Sequence, residues 1–325
     1  IEEIRALDPA ATCGVKIFMG ASTGNMLVDD ESVLAAIFRD SPVLIATHCE
    51  STPMIEANIA KAAAKYNGNI PVTEHANIRS AEACYASSEL AVSLAKKYGS
   101  QLHVLHLTTA REMELFEPGP MAGKQITAEV CVHFLHFDES QYTHYGNRIK
   151  CNPSIKTPAD RAALRQAVTD GVIDTIGTDH APHLWEEKQN PYGSAPSGLP
   201  LIQSAMTTAV ELFPLEMVAE KTAHNPARIF DVLERGFIRE GYWADLVLID
   251  TETPSTVTKE NIEYKCGWSP FEGVTFKSTI AATLVNGQVA YQNGQVNEAL
   301  RLSLIHISEP TRPPSTSRMP SSAGK

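Results

Sequence analysis

Between Cys13 and about Gly177, short apolar runs alternate with longer amphipathic stretches. The runs Gly14–Met19, Val43–His48, Leu102–Leu107, Ile126–Cys131 and Val172–Ile176 predict five strands. Ser32–Asp40, Pro53–Tyr66, Ser80–Tyr98 and Pro158–Asp170 predict helices, with Ala, Leu and Val recurring at helical spacing in the longer ones. Pro53 suits a first helical turn, where its missing N–H costs nothing. Strands and helices alternating in this way imply a parallel sheet with helical crossovers. Further helices are expected over 207–212, 214–222 and 226–233. After Gly236 the texture becomes β-like: Ala244–Asp250 and Ile280–Val289 run apolar or alternate, with an Asn286-Gly287 turn between pairing halves.

Composition adds bounds. The chain has 325 residues, 43% of them hydrophobic and 20% charged, enough for one large domain and a smaller one. Its net charge of -11 argues against a nucleic-acid binder. No apolar stretch reaches the roughly 18 residues of a membrane span, and the start carries no signal segment. Six scattered cysteines without a C-x-x-C suggest reduced thiols in a cytoplasmic protein. The segment 302–325 is rich in Ser, Pro, Thr and Arg, and its prolines oppose regular structure, so it reads as a non-native disordered tail. The expected organisation is therefore an α/β unit over 1–235, a β module over 236–301, and that tail.

Chemistry collects at the strand ends. Lys16, His48, His106 and Asp179 each sit at or near the carboxyl end of an apolar run. In a (β/α)8 barrel such ends converge on one rim, where catalysis takes place. Singly, each has a bland reading: a lysine that snorkels, a hydrogen-bonded histidine, an aspartate that caps a turn. Repetition over four elements favours a shared pocket. A lysine inside Val15-Ile17-Phe18 is expected to be buried, with its amine's pKa lowered. A neutral amine can take up carbon dioxide to form a carbamate, a carboxylate able to bridge two metals. Imidazole and carboxylate ligands suit zinc, and two ions about 3.5–4 Å apart can share one hydroxide.

These residues carry a resemblance. The segments Gly14–Asn25, Thr47-His48-Cys49-Glu50, His106-Leu107-Thr108-Thr109, Cys151-Asn152-Pro153-Ser154, Gly177-Thr178-Asp179-His180-Ala181-Pro182-His183, Asn225–Ile229 and Lys265–Gly273 are similar to those of dihydroorotases in the amidohydrolase superfamily. The Asp-His-Ala-Pro-His signature is shared with allantoinases. The resemblance spans roughly residues 1 to 301 and implies a TIM (β/α)8 barrel with a small C-terminal β module. It implies that Lys16, carbamylated, bridges two zinc ions, that His48 and His106 bind the second, and that Asp179 binds the first and acts as general base and acid. Asn152 and His183 would contact the substrate, main-chain groups near Ala195 would bond the ring amides, and Thr23 would belong to a mobile loop over the site. Cys131-Val132-His133 stands where many relatives carry Thr-Pro-His, which leaves His133 without an assigned role. His180 is open between supporting Asp179 and packing, and His75, His103, His136, His144 and His224 are expected to be structural.

The family's first strand carries a His-x-His pair and then an Arg, and no His-x-His occurs here. The expectation is an N-terminally truncated piece lacking barrel strands 1–3, about 90 residues, and impaired by itself. The implied activity is the interconversion of L-dihydroorotate and N-carbamoyl-L-aspartate in pyrimidine synthesis, with a small-molecule substrate and a homodimeric assembly. An allantoinase or dihydropyrimidinase is the alternative, and a non-catalytic relative is a third reading.

Overall fold

A computed structural model describes residues 1–20 and 27–300. Five parallel strands, β1 (Val15–Met19), β2 (Ile45–Cys49), β3 (Leu102–Val104), β4 (Ile126–Cys131) and β5 (Thr175–Gly177), lie side by side in chain order. Successive strands are joined through helical segments, the arrangement that parallel pairing requires. Every residue of β2 is buried, because helices cover one face of the sheet and side chains fill the other. β1 and β5 are its edges, so among the described residues the sheet is an open five-stranded portion of a barrel.

Local sequence explains the crossover helices. Asp30 caps Glu31–Asp40, accepting from the amides of Ser32 (2.8 Å) and Val33 (3.1 Å), a contribution of about 1 kcal/mol. That helix turns Leu34, Ile37 and Phe38 inward at helical spacing. Ser80 caps Ala81–Tyr98, which ends where Gly99 takes a left-handed φ of 75°. Thr157 and Asp160 form a capping box on Pro158–Thr169, with Pro158 in the first turn. The predicted helices over 214–222 and 226–233 are one continuous element. Leu215–Ala219 and Asn225–Ile229 are joined by the π-turn Glu220–His224.

Two strands fall two or three residues short of their apolar runs. β3 stops at Val104 because His106 takes a positive φ of 40°, which no strand accommodates. β5 begins at Thr175; before it, Asp174 turns its carboxylate back to accept from the Ala128 amide (3.0 Å) and the Lys124 ammonium (2.8 Å).

The C-terminal β texture forms an antiparallel sheet, β11-β10-β9-β6, and a two-stranded ribbon, β7-β8. The strands are β6 (Leu246–Asp250), β7 (Ser255–Thr256), β8 (Thr275–Phe276), β9 (Thr279–Val285), β10 (Gln288–Gln292) and β11 (Gln295–Val296). The predicted Asn286-Gly287 turn joins β9 to β10, with φ of 53° and 76° at its two residues, as a tight hairpin needs. All six cysteines are free. Among the described residues no helix is long and apolar enough to cross a membrane.

Candidate active site

In a parallel ladder, paired residues point to the same face. The register Lys16↔Ala46, Phe18↔His48, Ala46↔His103, His103↔Thr127 and Glu129↔Thr175 therefore puts Lys16, Phe18, His48, His103, Thr127 and Glu129 on one face. His106 and Asp179 lie two residues beyond the ends of β3 and β5.

His48 and His106 come together. His48 Nδ1 is 3.0 Å from His106 Nε2. On its other side His48 Nε2 lies 3.0 Å from Glu50 Oε2, the oxygen that also accepts from Arg79. A carboxylate only accepts, so His48 donates through Nε2 and turns the lone pair of Nδ1 toward His106. Burial works against the charge on Glu50, but Arg79 and His48 beside it hold its carboxyl down to about 2. Burial, then His48, push His106 down to about 4, so its ring is neutral near pH 7. His106 Nδ1 is buried without a partner.

Asp179, at a φ of 48°, is close enough to raise the proton affinity of both His106 and His133. Glu129 accepts from the His106 amide at 3.3 Å. Its carboxylate lies against Gly177, where a Cβ would meet Glu129 Oε2 at 2.6 Å. Burial opposes the Glu129 charge, yet His103 and His106 hold its carboxyl below the ordinary value. His133 is fully buried with neither ring nitrogen partnered, and burial pushes it down to about 3.

One expectation changes. Lys16 is exposed, with its ammonium 4.7 Å from the Phe18 ring centroid. Among the described strands β1 is a sheet edge, paired with β2 and touched by Leu27 only through a bridge at Phe18. The burial expected of Lys16 is thus not found among the described residues.

Asn152 is half-buried, with Oδ1 unpartnered. His183 Nε2 donates to the Ser197 carbonyl at 3.1 Å, and Ala195 is buried. The segment holding Asp179 is zipped to this loop: His180 bridges Leu199, and the Ala181 amide donates to the Leu199 carbonyl at 3.0 Å. His180 Nδ1 accepts from the amides of Leu201 and Ile202, so its ring anchors the following helix. His75, His103 and His224 fill structural positions: His75 bonds Tyr192 and Cys151, His103 bonds Thr127, and His224 stacks on Phe237. Thr23 lies outside the described residues.

Two imidazole nitrogens on a tetrahedral zinc stand about 3.3 Å apart when each bond is about 2.0–2.1 Å. The 3.0 Å separation of His48 Nδ1 and His106 Nε2 fits one ion with a small adjustment, leaving His106 Nδ1, the ring's other nitrogen, as the unpartnered atom. Among the described residues no group of three or more His, Cys, Asp or Glu that could hold a metal comes together.

Sequence reasoning passed over two members of this site. Glu129 is an acidic residue at the inward positions of a buried strand, and Glu50 stands two residues past His48 on the same face; both signals were present.

The profile of the Amidohydrolase family matches residues 42–290. The chain belongs to the amidohydrolase family. A dihydroorotase of Endomicrobium trichonymphae is 33% identical to this amidohydrolase over 207 residues, covering 62% of this chain and 49% of that protein. An allantoinase of Bacillus velezensis is 31% identical over 309 residues, covering 90% of this chain and 66% of that protein. The chain thus spans about half to two thirds of the length of these relatives. In three dimensions it superposes on the L-hydantoinase (dihydropyrimidinase) from Arthrobacter aurescens with a TM-score of 0.83 at 24% identity, covering 91% of this chain and 68% of that one. That likeness bears out the expected amidohydrolase barrel fold.

Proposed function

We propose that this amidohydrolase hydrolyses a cyclic amide, and that its substrate is L-dihydroorotate, opened reversibly to N-carbamoyl-L-aspartate. The observation that carries the chemistry is the His48–His106 pair, two imidazoles meeting at 3.0 Å at the strand ends, with Asp179 close enough to act on the His106 ring. The substrate choice is supported by the Cys151-Asn152-Pro153 and Lys265–Gly273 segments and by the dihydroorotase relatives. The length of the allantoinase match favours allantoin as a second reading.

In this mechanism His48 and His106 would hold zinc, and Lys16, exposed among the described residues, would join them once carbamylated. Zinc supplies polarisation of the amide carbonyl and acidification of the attacking water. Glu50 orients His48 through Nε2, and Arg79 fixes Glu50. Asp179 accepts the proton of the attacking water at a carboxylate oxygen. Water oxygen adds to the ring carbonyl carbon, the carbon–nitrogen bond breaks, and Asp179 returns its proton to the departing nitrogen. Asn152, His183 and the main chain around Ala195 orient the ring.

The test offers dihydroorotate, allantoin and dihydrouracil to the full-length protein loaded with zinc. Turnover of dihydroorotate well above the other two is expected. Preference for allantoin overturns the substrate, and turnover of none of them overturns the activity.

A further inference from the structure

Two buried lysines underlie the loop that carries Ala195. Lys188 closes the short helix Trp185–Lys188 and is 2% exposed. Its Nζ donates to three main-chain carbonyls: Lys150 at 3.1 Å, Pro196 at 2.9 Å and Gly198 at 3.0 Å. Lys150, also buried, donates through its own Nζ to the carbonyls of Tyr192 (2.7 Å) and Ala195. Trp268 and Tyr192 present their rings to these ammoniums, at 5.9 Å and 4.5 Å. Among the described residues neither lysine pairs with a carboxylate.

A buried ammonium without an anion is costly, and an apolar side chain of the same volume would avoid that cost. What the arrangement provides is a junction. Lys150 immediately precedes Cys151-Asn152, and its carbonyl accepts both the Lys188 ammonium and the Gly198 amide (2.9 Å). Pro196 and Gly198 flank Ser197, whose carbonyl accepts from His183. At Gly198 a Cβ would lie 2.6 Å from the Ala181 carbonyl oxygen, so the loop and the Asp179–His183 segment touch at main-chain distance. One ammonium thus joins the three segments bearing Asn152, Ala195 and His183. Lys156 offers a contrast: it is also buried, but among the described residues its Nζ bonds only Ser154, two residues away.

We propose that Lys188, assisted by Lys150, is a positioning residue whose ammonium sets the Tyr192–Gly198 main chain against Asn152 and His183, and so shapes the place where a ring amide is gripped. The gripping role rests on the cyclic-amide reading above; the tether itself does not. Lys188 touches no reacting atom, and its effect runs through the carbonyls it holds.

The experiment uses the full-length protein with Lys188→Met, Lys150→Met and, for comparison, Lys156→Met, each checked for folding by circular dichroism and thermal unfolding. Hydrogen exchange followed by mass spectrometry is expected to quicken over residues 191–199 in the first two variants, with the β1–β4 peptides unchanged; Lys156→Met is expected to leave 191–199 as in the parent. For the ring substrate the parent turns over, KM is expected to rise about tenfold in Lys188→Met with kcat within about threefold, the pattern of lost ground-state grip. Unchanged exchange over 191–199 in folded Lys188→Met overturns the tether. Quickened exchange with an unchanged KM overturns its role in positioning, as does an equal rise of KM in Lys156→Met. A parent inactive on all three substrates sinks the cyclic-amide reading and the gripping role with it, while the exchange measurement still decides the tether.

Discussion

His48 Nδ1 and His106 Nε2 stand 3.0 Å apart across the ends of two neighbouring strands. The contact sits on a relay, because the opposite nitrogen of His48 meets Glu50 and Glu50 meets Arg79. Glu50→Gln puts an amide where a carboxylate stood. The fold is expected to survive, and zinc affinity to drop about 10- to 100-fold, the usual cost of losing an outer partner of a metal-binding histidine. Competition against a chromophoric chelator measures it, and unchanged affinity would remove Glu50 from the site.

Asp179 has no role in building the core, since it lies beyond β5 and is only half-buried. Asp179→Asn is expected to lower kcat by about 10²- to 10⁴-fold, the range for loss of a general acid–base group, while circular dichroism and thermal unfolding stay near those of the parent. Turnover close to the parent's would reassign the proton transfer.

Gly177 leaves room for a carboxylate. Gly177→Ala drives a methyl to 2.6 Å from Glu129 Oε2, so either the carboxylate or the strand must give way. A stability loss of about 1–3 kcal/mol is expected from such crowding. Paired with Glu129→Ala, which clears the space, the two losses should be less than additive in denaturant titrations. Strict additivity would show that the side chains do not meet.

His75 predicts an acid-sensitive fold. It is buried, its Nε2 donates to the Cys151 carbonyl at 2.7 Å, and its Nδ1 meets the Tyr192 hydroxyl at 2.8 Å. Burial, then the nearby Arg79, push it down to about 3 from an ordinary 6.5. Between those values the unfolded chain binds a proton that the folded chain refuses, so stability is full above about pH 6.5 and falls as pH drops toward 3. The Tm of the parent should decline across pH 6.5 to 4 more steeply than that of His75→Gln. Parallel slopes would mean that His75 is protonated in the folded protein.

The strands were legible because each is a short apolar run between turn residues, and β4 matches its run, Ile126–Cys131, from end to end. Strand ends were less legible where backbone geometry overrides composition: Leu105 and His106 are written like strand but leave it at a positive φ. The facing of His48 and His106 could be anticipated, since both stand at strand ends in neighbouring elements. The exposure of Lys16 is not written in its own neighbours in sequence, because burial at an edge strand depends on what pairs with it. Lys188 was illegible for a related reason. Its three acceptors lie 8, 10 and 38 residues away and are main-chain atoms, which no side-chain pattern reveals.

His106 and Asp179 share the left-handed backbone described above, φ 40° and 48°. Conformations of this kind cost a non-glycine residue on the order of 1–3 kcal/mol and persist where the surroundings over-determine them. Asp231 and Glu234 share that backbone, at φ 49° and 54°, away from these strand ends; on the proposed reading, glycine at 106 or 179 would relax the backbone and remove a working side chain in the same step, while glycine at 231 or 234 would not. If the proposed roles hold, robustness and turnover would compete at those two residues, and a hardier variant would draw its improvements from positions such as 231 and 234.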